Sequence, residues 1–223
     1  MAVVKQSIQV LSGKIGTVVY KRRGNINYVA AMPVKYKKSE SPAALTARDR
    51  FKVLGALSKY LISSPRLKEI WNSSELDGIY AYHKILKANS PLLREHTLSV
   101  YNMIAPKTPE DPVDSLSLTK TELSLTLTDY VFPSKATAFQ LNLILAFLQP
   151  KSPQTSSLAF AFLKGDVQPG TLNYTFQLSP TAVKYIDDFE KVIIYTALSF
   201  TESKKLSWYS KKGALFLTSE IIP

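Results

Sequence analysis

Hydrophobic and polar positions change period twice along this chain. In residues 1–39 the apolar positions are β-branched or aromatic, as in Ile15, Val18, Val19 and Tyr20 and again in Ile26, Tyr28 and Val29. Such runs predict two strands. Between them lies Lys21-Arg22-Arg23-Gly24-Asn25, where Gly24 and Asn25 tolerate the positive φ of a tight hairpin. The predicted tip therefore carries three adjacent cations. An earlier strand is predicted over residues 3–11, punctuated by Ser12-Gly13 and Gly16, which would make a three-stranded meander. Met32-Pro33 ends the pairing, because proline has no ladder donor.

The period then lengthens. Ala47, Phe51, Leu54, Leu57 and Leu61 follow one another at steps of three and four, which predicts an amphipathic helix over 44–62. Ser64-Pro65 supplies an N-cap and a proline at the first helical position, opening a short helix to about residue 72 with Leu67, Ile70 and Trp71 inward. A third helix is predicted from Asp77-Gly78, with Ile79, Tyr82, Ile85 and Leu86 on one face and an end before Pro91. Residues 98–104 fit a strand or a helix equally.

Pro106, Pro109 and Pro112 mark a stiff linker, and beyond them the period falls to two. Leu116 and Leu118, then Leu123, Leu125 and Leu127, alternate with Ser and Thr, with a phase break near Lys120. Apolar runs over 139–148, 157–162, 172–178, 192–200 and 215–222 follow, separated by turn signals such as Gln168-Pro169-Gly170. The expected fold is thus α+β: a β-hairpin and short helices over 1–105, a linker over 106–114, and an all-β sandwich of immunoglobulin or fibronectin type over 115–223.

Composition narrows the chemistry. The 223 residues contain no Cys and two His, which removes disulfides, thiolate catalysis and cysteine-based metal sites. No apolar run is long enough to span a bilayer as a helix, and the first residues show no export signal, so a cytoplasmic location is expected. The formal net charge is +11, and residues 1–110 carry all of it, with 18 basic and 7 acidic side chains against 10 and 10 in residues 111–223. Lys5, Lys14, Lys21, Arg22, Arg23, Lys35, Lys37 and Lys38 all precede the first acid, Glu40. Such a block repels itself unless it is solvated or met by an anionic partner.

Five sequence features bear on chemistry. Gly13-Lys14-Ile15-Gly16-Thr17 lacks the spacing of a phosphate-binding loop, and no helix follows to receive the phosphate. Asp187-Asp188-Phe189-Glu190 is the densest acidic cluster; it is expected to lie in a solvated loop or a helix first turn rather than in a hydrolase or Ca²⁺ site. His83 and His96 have no partners at ligand spacing, so no metal, cofactor, catalytic residue or small-molecule substrate is assigned. Basic residues interleaved with aromatics are the better signal: Tyr20, Tyr28 and Tyr36 alternate with Lys14, Lys21, Arg22, Arg23, Lys35, Lys37 and Lys38, a mix that tracks phosphates and stacks bases. Trp208 and Tyr209, between lysine pairs, are expected to anchor a hairpin in the core.

A Gly-Lys-x-Gly strand, the run Tyr20-Lys21-Arg22-Arg23-Gly24, an aromatic strand ending at Met32-Pro33, Arg50-Phe51, Lys68 three residues before Trp71, and Gly78-Ile79-Tyr80-Ala81-Tyr82 occur in that order. Together they resemble a loose family of uncharacterised bacterial proteins, often found in phage-like gene clusters. Here the first helix lacks the usual Gln, and Lys68 stands where Arg is common. The resemblance implies no catalytic residues. It implies a virion or other assembly component, with the location then cytoplasmic or virion. The expectation is a non-enzymatic structural protein that self-associates or joins another assembly protein, docking its basic module on an acidic partner or on nucleic acid. The alternative is a monomeric nucleic-acid-binding protein that contacts phosphates through the same hairpin.

Overall fold

A computed structural model describes residues 13–23, 26–31, 38–110, 112–128 and 132–221, with Arg22 and Arg23 as backbone only. Among these residues the fold is α+β, with four helices and eleven strands in three antiparallel sheets. Two compact units are present, Met1–Ala44 and Leu45–Pro223. This division differs from the expected one at the proline linker, because the helices share a core with the β-strands that follow them.

The first unit contains β1 (Gly13–Ile15), β2 (Val18–Arg23) and β3 (Ile26–Ala31), in the order β1-β2-β3. The chain turns at Gly16, whose φ of +60° suits glycine, so Ile15 and Val18 lie opposite one another instead of along one strand. The meander is present with Gly13–Ile15 as its first strand; the strand expected over 3–11 lies outside the described residues.

In the second unit, α1 (Pro42–Ser63), α2 (Pro65–Ser73) and α3 (Ala81–Asn89) form one layer. The buried stripe of α1 begins at Leu54 and runs through Leu57 and Leu61, while Phe51 and Ala47, expected to face inward, are exposed. Ser64 caps α2 as its sequence predicts, and its hydroxyl accepts from the Leu67 N–H. α3 begins later than expected: Gly78 at φ +146° steers the chain over Lys84, leaving Ile79 exposed, and Asn72 Oδ1 accepts from the Ala81 N–H at 3.0 Å. Residues 98–104 are neither strand nor helix. Their backbone is held by two buried amides, with Asn89 Oδ1 accepting from the Met103 N–H at 2.6 Å and Asn102 Oδ1 from the Ser99 N–H at 2.8 Å.

The remaining strands are β4 (Val113–Leu118), β5 (Glu122–Leu127), β6 (Ala136–Pro150), β7 (Leu158–Asp166), β8 (Asn173–Gln177), β9 (Phe189–Glu202), β10 (Lys205–Ser210) and β11 (Ala214–Leu217), with α4 (Pro180–Asp188) before β9. One sheet runs β10-β9-β6-β7 with β11 also on β9, and the other runs β4-β5-β8. Alternation divides the long strands between two cores. Leu141, Leu143, Leu145 and Phe147 of β6, with Val192, Ile194 and Leu198 of β9, pack with Leu123, Leu125 and Leu127 of the small sheet. Ile144, Ala146 and Leu148, with Ile193, Tyr195 and Ala197, pack with Leu57, Leu61, Ile70 and Trp71 of the helices. The large sheet is therefore covered on both sides, which is why its strands read as continuous apolar runs.

Candidate interaction site

Residues 13–31 place the basic and aromatic positions on a small sheet in which no described residue is buried, and Ile15 and Ile26 remain about 60% and 59% exposed. Directly paired residues share a face. Lys14 lies opposite Val19, Lys21 lies opposite Tyr28, and Val19 lies opposite Ala30. One face thus carries Lys14, Lys21 and Tyr28 together, with the two lysines diagonal neighbours and both exposed. Tyr20 pairs with Gly13 and Val29 and belongs to the opposite face, so the two tyrosines do not form one platform.

The ladder continues to Arg22↔Asn27 and Arg23↔Ile26. The three cations therefore occupy strand positions at the end of β2 instead of the connection itself. Lys38 is exposed and outside the sheet, and Lys35 and Lys37 lie outside the described residues. Neither Lys14 nor Lys21 forms an ion pair with a described residue, so their charge is available to a partner.

The acidic cluster takes a different place from the one expected. Asp187 and Asp188 end α4, and Phe189 and Glu190 begin β9, so the carboxylates sit at the helix C-terminus and not in a loop or first turn. That end disfavours negative charge, and Lys120 offsets it by pairing with Asp187 at 2.8 Å. His83 and His96 are exposed, and among the described residues no three His, Cys, Asp or Glu side chains gather in a way that holds a metal. Trp208 packs toward the helical core and its indole N–H donates to the Pro106 carbonyl at 2.9 Å, while Tyr209 packs on Phe200.

Compared with protein-family models and with curated proteins, the chain matches none. Among the described residues no helix is long and apolar enough to cross a membrane.

One constellation gives little signal in the sequence. Arg66 on α2 donates from Nε to Ser199 Oγ at 3.0 Å, and Ser199 Oγ donates to the Gln140 carbonyl at 3.1 Å. Gln140 and Asn142 interrupt the apolar row of β6, which is the one hint of it in the sequence. Arg66 comes from a helix far away in the chain.

Proposed function

We propose that this chain is a non-enzymatic structural or assembly protein whose basic amino-terminal sheet docks on an acidic partner or on nucleic acid. The observation that carries the reading is the face bearing Lys14, Lys21 and Tyr28: two exposed cations, neither in an ion pair with a described residue, beside an aromatic ring on a sheet where no described residue is buried. A three-stranded sheet gains independent stability by covering a hydrophobic face, so such a sheet favours a partner. The packing of two antiparallel sheets around one core supports the sandwich of immunoglobulin or fibronectin type as the architecture of the assembling body. The family resemblance adds a virion-like component, placed in the cytoplasm or in a particle built there.

Retention on DNA, RNA and an acidic protein resin, measured against salt, tests the reading. Phosphate docking predicts a log–log slope of about −0.9 per neutralised phosphate on duplex DNA, and substitution of Lys21, Arg22 and Arg23 by Ala should remove it. Particle mass by light scattering separates the two forms of the reading: a large assembly supports the structural role, and a lone chain that retains nucleic acid supports the monomeric binder. Retention unchanged by the triple substitution would sink both.

A further inference from the structure

The large sheet has two unequal edges. On one side β11 has only four residues, and Ser210 of β10 exchanges bonds with Thr108: its carbonyl accepts from the Thr108 N–H and its N–H donates to Thr108 Oγ1, each at 2.9 Å. On the other side lies β7, nine residues long and paired with β6 alone. Its register with β6 runs from Leu148↔Leu158 to Gln140↔Asp166 without a bulge. Among the described residues no backbone group of 159–165 bonds outside that pairing, so every second residue turns an N–H and a C=O away from β6.

Edge strands are normally blunted by charge, proline, a bulge or a covering segment. The small sheet follows that rule: β4 is bulged between Val113 and Ser115, and β8 exposes Asn173, Thr175 and Gln177. β7 does not. From Leu158 to Leu163 it has no proline and no charge, and its first charged residue is Lys164. Leu158, Phe160 and Phe162 belong to the helix-side core, and Ala159, Ala161 and Leu163 belong to the other. Ala161 and Phe162 stay partly exposed, whereas Leu145 and Ile144, their partners on β6, are fully enclosed. The difference is a neighbouring strand on the far side.

We propose that β7 pairs antiparallel with β7 of a second copy, joining the two large sheets across a two-fold axis. The chemistry of the edge selects this occupant. A strand added here meets an apolar core on both faces, so it must be apolar on both faces itself, and β7 of another copy is such a strand. Charge agrees: each chain carries +11, and residues 158–163 are a neutral strip along which two copies meet without opposing like charges. An axis normal to the sheet keeps helix side with helix side, so both cores run on across the junction. A contact one strand wide is small among interfaces, which points to a dissociation constant of roughly 1 to 100 µM. The inference goes beyond the docking reading, shares no residue with the basic sheet and supplies the self-association that an assembly role uses.

Sedimentation equilibrium of the full chain over ~1 to 500 µM should pass from the mass of one chain to that of two. Hydrogen exchange read by mass spectrometry over the same range should show protection that rises with concentration at residues 158–164 and at no other strand. Phe162→Lys puts an ammonium into the junction from each copy and should raise the dissociation constant at least about a hundredfold while the thermal melt stays cooperative. The exchange measurement needs no substitution, so it decides the matter even where that variant unfolds. Alanine at Lys21, Arg22 and Arg23 should abolish docking and leave the dimer intact, so failure of either reading is seen apart from the other. A single chain's mass at the top of the range overturns the inference. So do added protection outside 158–164, a folded Phe162→Lys that dimerises undiminished, or a larger particle that the triple alanine substitution does not reduce to two chains.

Discussion

Lys84 is almost wholly buried and forms no ion pair with a described residue; its ammonium donates to the carbonyl oxygens of Asn72 and Ser74. Those carbonyls end α2, where a cation compensates the unpaired acceptors and the helix dipole. Gly78 makes the passage over it feasible, since a Cβ there would stand 2.8 Å from the Lys84 backbone nitrogen. Lys84→Met should therefore lower the unfolding free energy by about 2 kcal/mol in urea titration, the usual scale for losing hydrogen bonds to a charged group. Two tyrosines set an alkaline limit. Burial pushes the Tyr60 phenol up to about 12 and the nearly enclosed Tyr195 phenol higher still, with Tyr195 donating to the Ser99 carbonyl at 2.7 Å. Both folded values lie above the unfolded value near ~10. Stability from these groups is whole below that value and falls as the unfolded chain ionises first. Denaturation midpoints should hold to about pH 9 and decline between about pH 10 and 12, and Tyr195→Phe should flatten that decline.

At the scale of elements, α2 and α4 start alike, with Ser64-Pro65 and Ser179-Pro180, and each serine hydroxyl accepts from the N–H three residues on. Ser179→Ala should cost about 1 kcal/mol, read as a shifted thermal midpoint. The cap of α2 was legible in the sequence. The same signal before α4 was overshadowed by the surrounding β pattern, so the Asp187 cluster was expected in a loop or a helix first turn instead of at a helix C-terminus. The strands from 139 to 148 and from 192 to 200 were legible from their apolar runs. That same continuity implies cover on both faces, which is what ties α1 to α3 to the sheet. Residues 98–104 were ambiguous for a physical reason: the partners of their backbone are the side chains of Asn89 and Asn102, which no periodicity reports. At the basic sheet, the grouping of Lys14, Lys21 and Tyr28 depends on the turn at Gly16, which sets which residues face each other. Around Ser199, the polar positions on β6 are visible in the chain but the arrival of Arg66 is a tertiary fact.

For the whole molecule, most of the cationic excess lies outside the packed body, with 8 basic and 1 acidic side chains in residues 1–44 against 20 and 16 in residues 45–223, so salt should act on docking more than on folding of the second unit. Inside that second unit the proline segment is a strap between layers. The Pro106 carbonyl accepts from Trp208, and the Thr108 N–H donates to the Ser210 carbonyl at 2.9 Å. A protease site built into residues 109–112 should yield, after cutting, two fragments that co-elute in native buffer and part only in denaturant; separation in native buffer would contradict the core shared by helices and sheet. The doubly covered β6 and β9 also bear on how such a chain is inherited. Exchange of the helical half or the small sheet alone with a relative's version would strip one side of the same two strands. Recombination should therefore pass residues 45–221 on as a single block, while the cationic segment ahead of it is open to replacement.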